Sequence, residues 1–447
     1  MTSLDVLGGM AATWLTQDPD PTTRRLLSDQ LAAAQRGDPA ALELLTDEFA
    51  GRLVFGTAGL RAALGPGPNR MNRVVVCQAA GGLASWLEAH GHTGGRVLIG
   101  YDARHNSDVF ARDTAEILAG AGFRVLLTGQ PTPTPLVAFG IRHFGCVAAV
   151  VVTASHNPAS DNGYKVYLGD GSQIIPPTDA EIAAAIEQVA ATPLDRIPRS
   201  DRYETVDEQL VRPYVDRAAS LLADKEPRDL RWGYTAMHGV GWRIVQRVVR
   251  QAGLPSPTVV SQQLDPDPDF PTVSFPNPEE PGAMDLAINL GREQDLDVVI
   301  ATDPDADRCA VATLIDGTWR RLSGDELGVL LGDAAIRRGT PGTVACSVVS
   351  STMLGDIAAA NGRDFVTTLT GFKWIGRVPN LAFGYEEAIG YCCDPAYVAD
   401  KDGITATVEV LRLVGELKAE GQTLADRLAE LNRLYGVHAT SQLAIRV

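Results

Sequence analysis

A strand–loop–helix rhythm runs through this chain three times, and it leaves little choice of fold class. The segments RVLIGYD (96–102), FRVLLTG (123–129) and CVAAVVVTAS (146–155) are short, β-rich and mostly apolar, with helical segments around 108–121 and 133–143. The rhythm resumes at RWGYTA (231–236), TVVS (258–261), DVVIAT (297–302) and CAVATLI (309–315). It appears again at TVACSVVS (343–350), DFVTTLTG (364–371) and LAFGYEE (381–387). Strands that are apolar throughout and alternate with helices are buried on both faces, as in a largely parallel sheet between helical layers. Before the first set, RRLLSDQLAAAQ and PAALELLTDEFA carry apolar residues at helical spacing. A polar helical stretch near 200–224 separates the first set from the second. The expected class is α/β, with three consecutive α/β domains whose mixed, mostly parallel sheets surround a shared cleft, preceded by N-terminal helices. The boundaries fall at 1–50 (helical), 51–206, 207–317 and 318–434. Helices over about 403–434 close the third domain, and TSQLAIRV (440–447) reads as the opening strand of a further one, leaving 435–447 as a stub.

At 447 residues the chain is too long for a single core. A net charge of −16 argues against nucleic acids and anionic membranes as partners, since both require a basic surface. A phosphorylated small molecule remains open, because a few local cations override the global sign. Six scattered cysteines without a C-x-x-C pair fit reduced thiols in a cytoplasm. The start, MTSLDVLGGMAATWL, lacks the basic region of a signal peptide. No apolar run reaches the roughly 18 residues of a spanning helix. A cytoplasmic protein is expected.

In an α/β sheet, ligands sit where strands end and loops begin, and four such loops carry reactive residues. In the first, Ser155 ends an apolar strand and is followed by His156 and the turn Asn157-Pro158. Its hydroxyl is either a nucleophile or phosphoryl carrier, or a cap on that turn. Lys165, ten residues on in the hairpin strand YKVYLGDG, is a candidate proton carrier if it folds back toward Ser155. In the second loop, DVVIAT leads into Asp303, Asp305 and Asp307. Three carboxylates at a spacing of two repel one another unless a cation holds them. An EF-hand fails, because its sixth position is Arg308 rather than Gly and its twelfth is Leu314 rather than Glu. Acids without histidine favour a hard divalent ion, Mg²⁺ above all when a phosphate completes the coordination. The acids of LDPDPDFPTVSFPNPEE (264–280) are broken up by prolines and read as an extended linker. The third loop, LTGFKWIG, carries Lys373 after Gly371. The fourth, FGYEEAIG, carries Glu386 and Glu387, suited to general acid–base work or to accepting hydrogen bonds from sugar hydroxyls. FGTAGLR adds Arg61 and GYDARHNS adds Arg104, both suited to phosphate.

Taken together these loops point to metal-assisted phosphoryl transfer through a covalent phosphoserine. The motifs FGTAGLR, TASHNP, DPDADR, TGFKWIG and GYEEAIG resemble those of the α-D-phosphohexomutase family, the phosphoglucomutases and phosphomannomutases, in order over residues 45–435. FGTAGLRA, FPNPEEPGA and DKDGITA resemble its phosphopentomutase-like branch most closely. The resemblance implies that Ser155 is the phosphorylated serine and a metal ligand, with Asp303, Asp305 and Asp307 binding Mg²⁺. It implies that Lys165 moves a proton with His156 beside it, and that Arg61 and Arg104 line the phosphoserine region, Arg61 among the catalytic groups. Arg104, Arg308, Lys373, Glu386 and Glu387 are the implied substrate-binding set. The implied activity is an isomerase interconverting hexose 1-phosphate and hexose 6-phosphate, with a sugar 1,6-bisphosphate as intermediate and activator. Pentose 1-phosphate and 5-phosphate are the alternative substrates. Small-molecule sugar phosphates are the expected partners, and a monomer or weak homodimer the expected assembly.

Two departures qualify the resemblance. Ala388 stands where many hexomutases carry a serine after the paired acids, so a hydroxyl donor to the sugar is lost. The family's fourth domain, with its Arg-Ser-Gly-Thr type phosphate loop, has no counterpart in these 447 residues. Losing a clamp of charge-assisted hydrogen bonds, about 1.5–3 kcal/mol each, predicts a weak mutase, a phosphatase-like leak, or no activity.

Overall fold

The computed structural model describes residues 4–222 and 229–441. Three sheets account for the three rhythms. The first has six strands, β1 (Leu60–Ala63), β2 (Arg96–Tyr101), β3 (Arg124–Thr128), β4 (Ala148–Val152), β5 (Asp161–Leu168) and β6 (Glu204–Val206), in the order β1-β5-β4-β2-β3-β6. The second has β7 (Trp232–Thr235), β8 (Thr258–Val259), β9 (Val298–Thr302), β10 (Cys309–Ile315) and β11 (Thr318–Arg321), in the order β11-β10-β9-β7-β8. The third has β12 (Thr343–Ser347), β13 (Phe365–Thr368), β14 (Leu381–Glu386) and β15 (Gly390–Cys392), in the order β13-β12-β14-β15. The central pairs β2–β4, β2–β3, β7–β9 and β12–β14 are parallel. The antiparallel pairs are the hairpin-like additions β4–β5, β9–β10 and β14–β15 and the edges β1 and β11. The sheets are therefore mixed but mostly parallel, as the unbroken apolar runs predict. β11 carries the second sheet to Arg321, past the boundary expected at 317.

These elements gather into two compact units. One comprises the residues up to Pro131 together with His143–Asp207; the other comprises Thr132–Arg142 together with the residues from Glu208 onward. In the first unit, helices Leu4–Gln17, Pro21–Gln35 and Pro39–Glu48 pack their apolar stripe into the core of the six-stranded sheet. Asp20 and Asp38 cap the second and third helices, each followed by Pro at the first helical position. In the second unit, helix Gly403–Ala419 packs against both smaller sheets.

The helical stretch expected near 200–224 forms as β6 followed by helix Glu208–Ala219, and its last positions lie outside the described residues. Most of the strand expected at 440–447 also lies outside them, while Thr440 and Ser441 have no regular structure. Among the described residues, no helix is long and apolar enough to cross a membrane.

Candidate functional site

The first unit presents the serine. β4 delivers Ser155 beyond its C-terminal end in a left-handed backbone conformation, φ 52°, which a non-glycine residue adopts only when its surroundings compel it. The compelling group is Arg104. Its guanidinium donates to the carbonyls of Ser155 (2.7 Å), Asn157 (2.6 Å), Pro158 (2.7 Å) and Asp161 (3.2 Å), drawing the whole loop around one cation. Arg104 is in turn held by the buried Asp102, whose carboxylate also accepts from Thr153 Oγ1 and Ser107 Oγ. Burial pushes the Asp102 carboxyl above its usual range, and Arg104 works against that rise. Ser155 N–H donates to Thr153 Oγ1, and Ser155 Oγ lies 3.1 Å from His156 Nδ1.

Arg61 reaches this loop, and Lys165 lies on the strand that pairs with β4. Arg61, on β1 opposite Gly163 of β5, donates to Asn157 Oδ1 at 3.2 Å. Lys165 is buried on β5, paired in register with Val151 of β4, the strand that leads to the serine. Of the two glycines of FGTAGLR, one serves the packing of this sheet. Gly59, at φ 76°, presses against β5, where a Cβ would overlap the Tyr164 carbonyl oxygen.

The second unit presents the acids. Asp303, Asp305 and Asp307 are all buried, and each offers an oxygen within 4.8 Å of the others'. The loop after β9 achieves this with Ala306 in the left-handed region, φ 55°. Burial, then the charges of Asp305 and Asp307, push the Asp303 carboxyl well above its ordinary range. Three such groups brought together in a dry site are compatible with a divalent cation and hard to reconcile with its exclusion, so this donor set fits a hard metal ion.

The cations around this loop tie it to the third sheet. Arg308 N–H donates to Asp303 Oδ1 at 3.0 Å, while its guanidinium donates to the Ala388 carbonyl at 2.9 Å and lies 3.8 Å from Asp307. Lys401 is buried with its Nζ 3.5 Å from both Asp307 Oδ2 and Asp400 Oδ1, and it stands over the Phe372 ring. The neighbouring acids hold its ammonium firmly charged despite burial.

Glu386 and Glu387 part company in space. Glu386 is buried, its carboxyl raised by desolvation and restrained by Lys401 and Arg308. Glu387 accepts from Ser347 Oγ (2.8 Å) and Ser350 Oγ (3.2 Å) and lines a cavity of about 440 Å³ with Glu279, Arg321, Ser323 and Asp325. That volume falls within the range of small-molecule sites. Gly324 makes room for the Glu387 loop, since a Cβ there would overlap the Glu387 carbonyl oxygen. Lys373 lies on the single turn Phe372–Ile375, and its carbonyl accepts from Arg377.

Models of the phosphoglucomutase/phosphomannomutase α/β/α domains I, II and III match residues 52–192, 212–314 and 323–435. The chain belongs to the phosphoglucomutase/phosphomannomutase family. Within that family it is 50% identical over 384 residues to a Haemophilus influenzae protein named "Probable phosphomannomutase", covering 84% of this chain and 79% of that protein. It is 36% identical over 476 residues to the Homo sapiens phosphopentomutase, covering 96% of this chain and 75% of the human protein. A crystal structure from Thermus thermophilus, of a protein provisionally named a phosphomannomutase, superposes with a TM-score of 0.76 at 28% identity, covering 87% of this chain and 85% of that one. The family places the chain among the mutases, a class of isomerases.

Several residues of this family member escaped the sequence reading. For Arg104, expected to line the phosphoserine region, the structure adds four bonds to the serine loop's own carbonyls. Lys401 was present only as part of the motif DKDGITA. Glu279 comes from the stretch read as a linker, yet it approaches Arg308 to 4.0 Å and Arg321 to 3.9 Å. Nothing in the local sequence of a proline-broken loop signals that contact.

Proposed function

We propose that this chain is a Mg²⁺-dependent phosphosugar mutase that interconverts hexose 1-phosphate and hexose 6-phosphate through phosphorylated Ser155. The observation that carries the reading is the buried carboxylate trio Asp303, Asp305 and Asp307, each offering an oxygen within 4.8 Å of the others'. With Mg²⁺ bound, the site supplies charge neutralisation for a moving phosphoryl group. The chain's own residues do the rest. Ser155 Oγ carries the phosphoryl group, its aim fixed by the Arg104 clamp. The substrate hydroxyl takes that group as its O–H proton passes to a base, for which Lys165 Nζ and His156 Nδ1 are the candidates. A sugar 1,6-bisphosphate results, and its other phosphate returns to Ser155 Oγ. Arg308 and Lys373 bind substrate, Glu386 accepts hydrogen bonds from sugar hydroxyls, and Glu387 does so from the wall of the polar cavity.

Pentose 1-phosphate is a second reading, supported by relatives named phosphopentomutase and phosphoribomutase over 96% and 97% of the chain; Ala388 does not decide between the two.

The test supplies Mg²⁺, a trace of glucose 1,6-bisphosphate and either glucose 1-phosphate or ribose 1-phosphate. We expect isomer formation on glucose 1-phosphate that disappears in Ser155→Ala and on chelation, with a phosphate-sized mass gain on the wild-type chain alone. Faster turnover of ribose 1-phosphate selects the second reading. Turnover surviving in Ser155→Ala removes the phosphoserine.

A further inference from the structure

The helix Thr134–Phe144 is, in sequence, the crossover between β3 and β4 of the serine-bearing sheet, yet Thr132–Arg142 belongs to the unit that holds the carboxylate trio. Contacts at three points along it, all inside that unit, keep it there. At its start, Thr134 N–H donates to the Asp305 carbonyl at 2.9 Å, and Thr134 Oγ1 donates to Asp305 Oδ2 at 2.6 Å. In its middle, Phe139 meets Tyr214 edge-on and stacks on Tyr397. Near its end, Arg142 Nη1 donates to the carbonyls of Pro395 and Ala396, in the loop that runs on to Lys401.

We propose that Thr134 is a positioning residue for the metal loop: its hydroxyl fixes the Asp305 carboxylate, so the crossover helix of the serine-bearing sheet sets the loop's affinity for a divalent cation. The proposal rests on the metal reading above. A threonine inside a helix usually turns its hydroxyl to the carbonyl one turn back. At the first helical residue no such carbonyl exists, and Thr134 turns outward to Asp305 instead. Both residues are fully buried, so no water stands ready to replace the bond. The terminal torsion of an aspartate is broad, and one short bond from hydroxyl to carboxylate narrows it. Support of this kind sets affinity: losing a hydrogen-bonding partner of a metal ligand lowers affinity by about 10–100-fold.

The two bonds separate anchoring from orientation. Thr134→Val keeps the backbone N–H that anchors the helix to Asp305 and removes only the hydroxyl. Thr134→Ser keeps the hydroxyl and removes the methyl. The experiment measures Mn²⁺ binding to the metal-stripped full chain by the electron paramagnetic resonance signal of free Mn²⁺, without substrate or turnover. We expect Thr134→Val to weaken Mn²⁺ binding by about tenfold or more and Thr134→Ser to stay within about threefold of wild type. Equal affinity in Thr134→Val and wild type overturns the proposal, as does equal weakening in the valine and serine variants. A wild-type chain that binds no Mn²⁺ overturns the metal reading itself. If the valine variant does not fold, Thr134→Ala against Thr134→Ser makes the same comparison.

Discussion

Lys401 shows most directly how single residues hold this site together. Its buried ammonium lies between Asp307 and Asp400, with Glu386 among the acids that act on it. Removing one partner of a buried ionic cluster leaves uncompensated charge, at a cost of about 3–5 kcal/mol. Lys401→Met is therefore expected to destabilise the second unit by about 3 kcal/mol in urea unfolding. Lys401→Arg should recover little, because a planar fork does not fit where a compact point charge is enclosed. A methionine variant as stable as wild type would mean that the acids around it are not charged. The same site shows what a sequence makes readable. Ser155 and the three aspartates could be picked out because each ends an apolar strand, where an α/β sheet presents its ligands. Lys401 and Glu279 could not, because their role comes from contacts with residues far away in the chain. Arg104 was noticed for its charge, and the structure turns that charge inward on the loop.

At the scale of elements, the N-terminal helices belong to the first unit's core. Leu7, Ala11, Trp14, Leu27, Leu45 and Phe49 are buried in one cluster with residues of β2 and β4, and Trp14 meets Phe49 edge-on. Glu48 ends the third helix inside this apolar setting, accepting one bond from Gln30, and burial pushes its carboxyl from 4.5 up to about 7. The folded chain thus keeps a proton that the unfolded chain releases. The associated stability is present below about pH 4.5 and is lost as pH rises through about 7. Glu48→Gln is expected to be more stable than wild type at pH 8, by roughly 2 kcal/mol, and to match it more closely at pH 5. Thermal midpoints at the two pH values check this, and an unchanged difference between them would place Glu48's proton elsewhere. Elements were legible where burial imposed a pattern. The long apolar strands β2, β4 and β9 were found in the sequence, whereas β1, β6, β11 and β15, of three or four residues each, were not. A strand that short at or near a sheet edge carries too few side chains to show a period.

At the scale of the whole molecule, the second unit joins two sheets that the sequence reads as separate domains, and helix Gly403–Ala419 makes the join. It packs against β9 and β10 of one sheet and β15 of the other, and thirteen of its residues, from Gly403 to Leu417, are buried. Its start is fixed tightly. Asp402 caps it through the N–H groups of Ile404 and Thr405 while accepting from Tyr214 Oη. Gly403 lies so close to the carboxylate loop that a Cβ would overlap the Arg308 carbonyl oxygen. A helix buried on all sides is core to both sheets at once, so neither can lose it alone. Leu411→Ala, at a fully buried position, removes about 2–5 kcal/mol. Hydrogen exchange should then accelerate together in β9, β10, β12 and β14, while β2 and β4 of the other unit exchange as before. Faster exchange confined to one of the two sheets would show that each has its own core and that the helix merely lies between them. Joint acceleration would mean that the carboxylate loop and the Glu386–Glu387 loop share one folding unit, which lets Arg308 and Lys401 stay aligned with both.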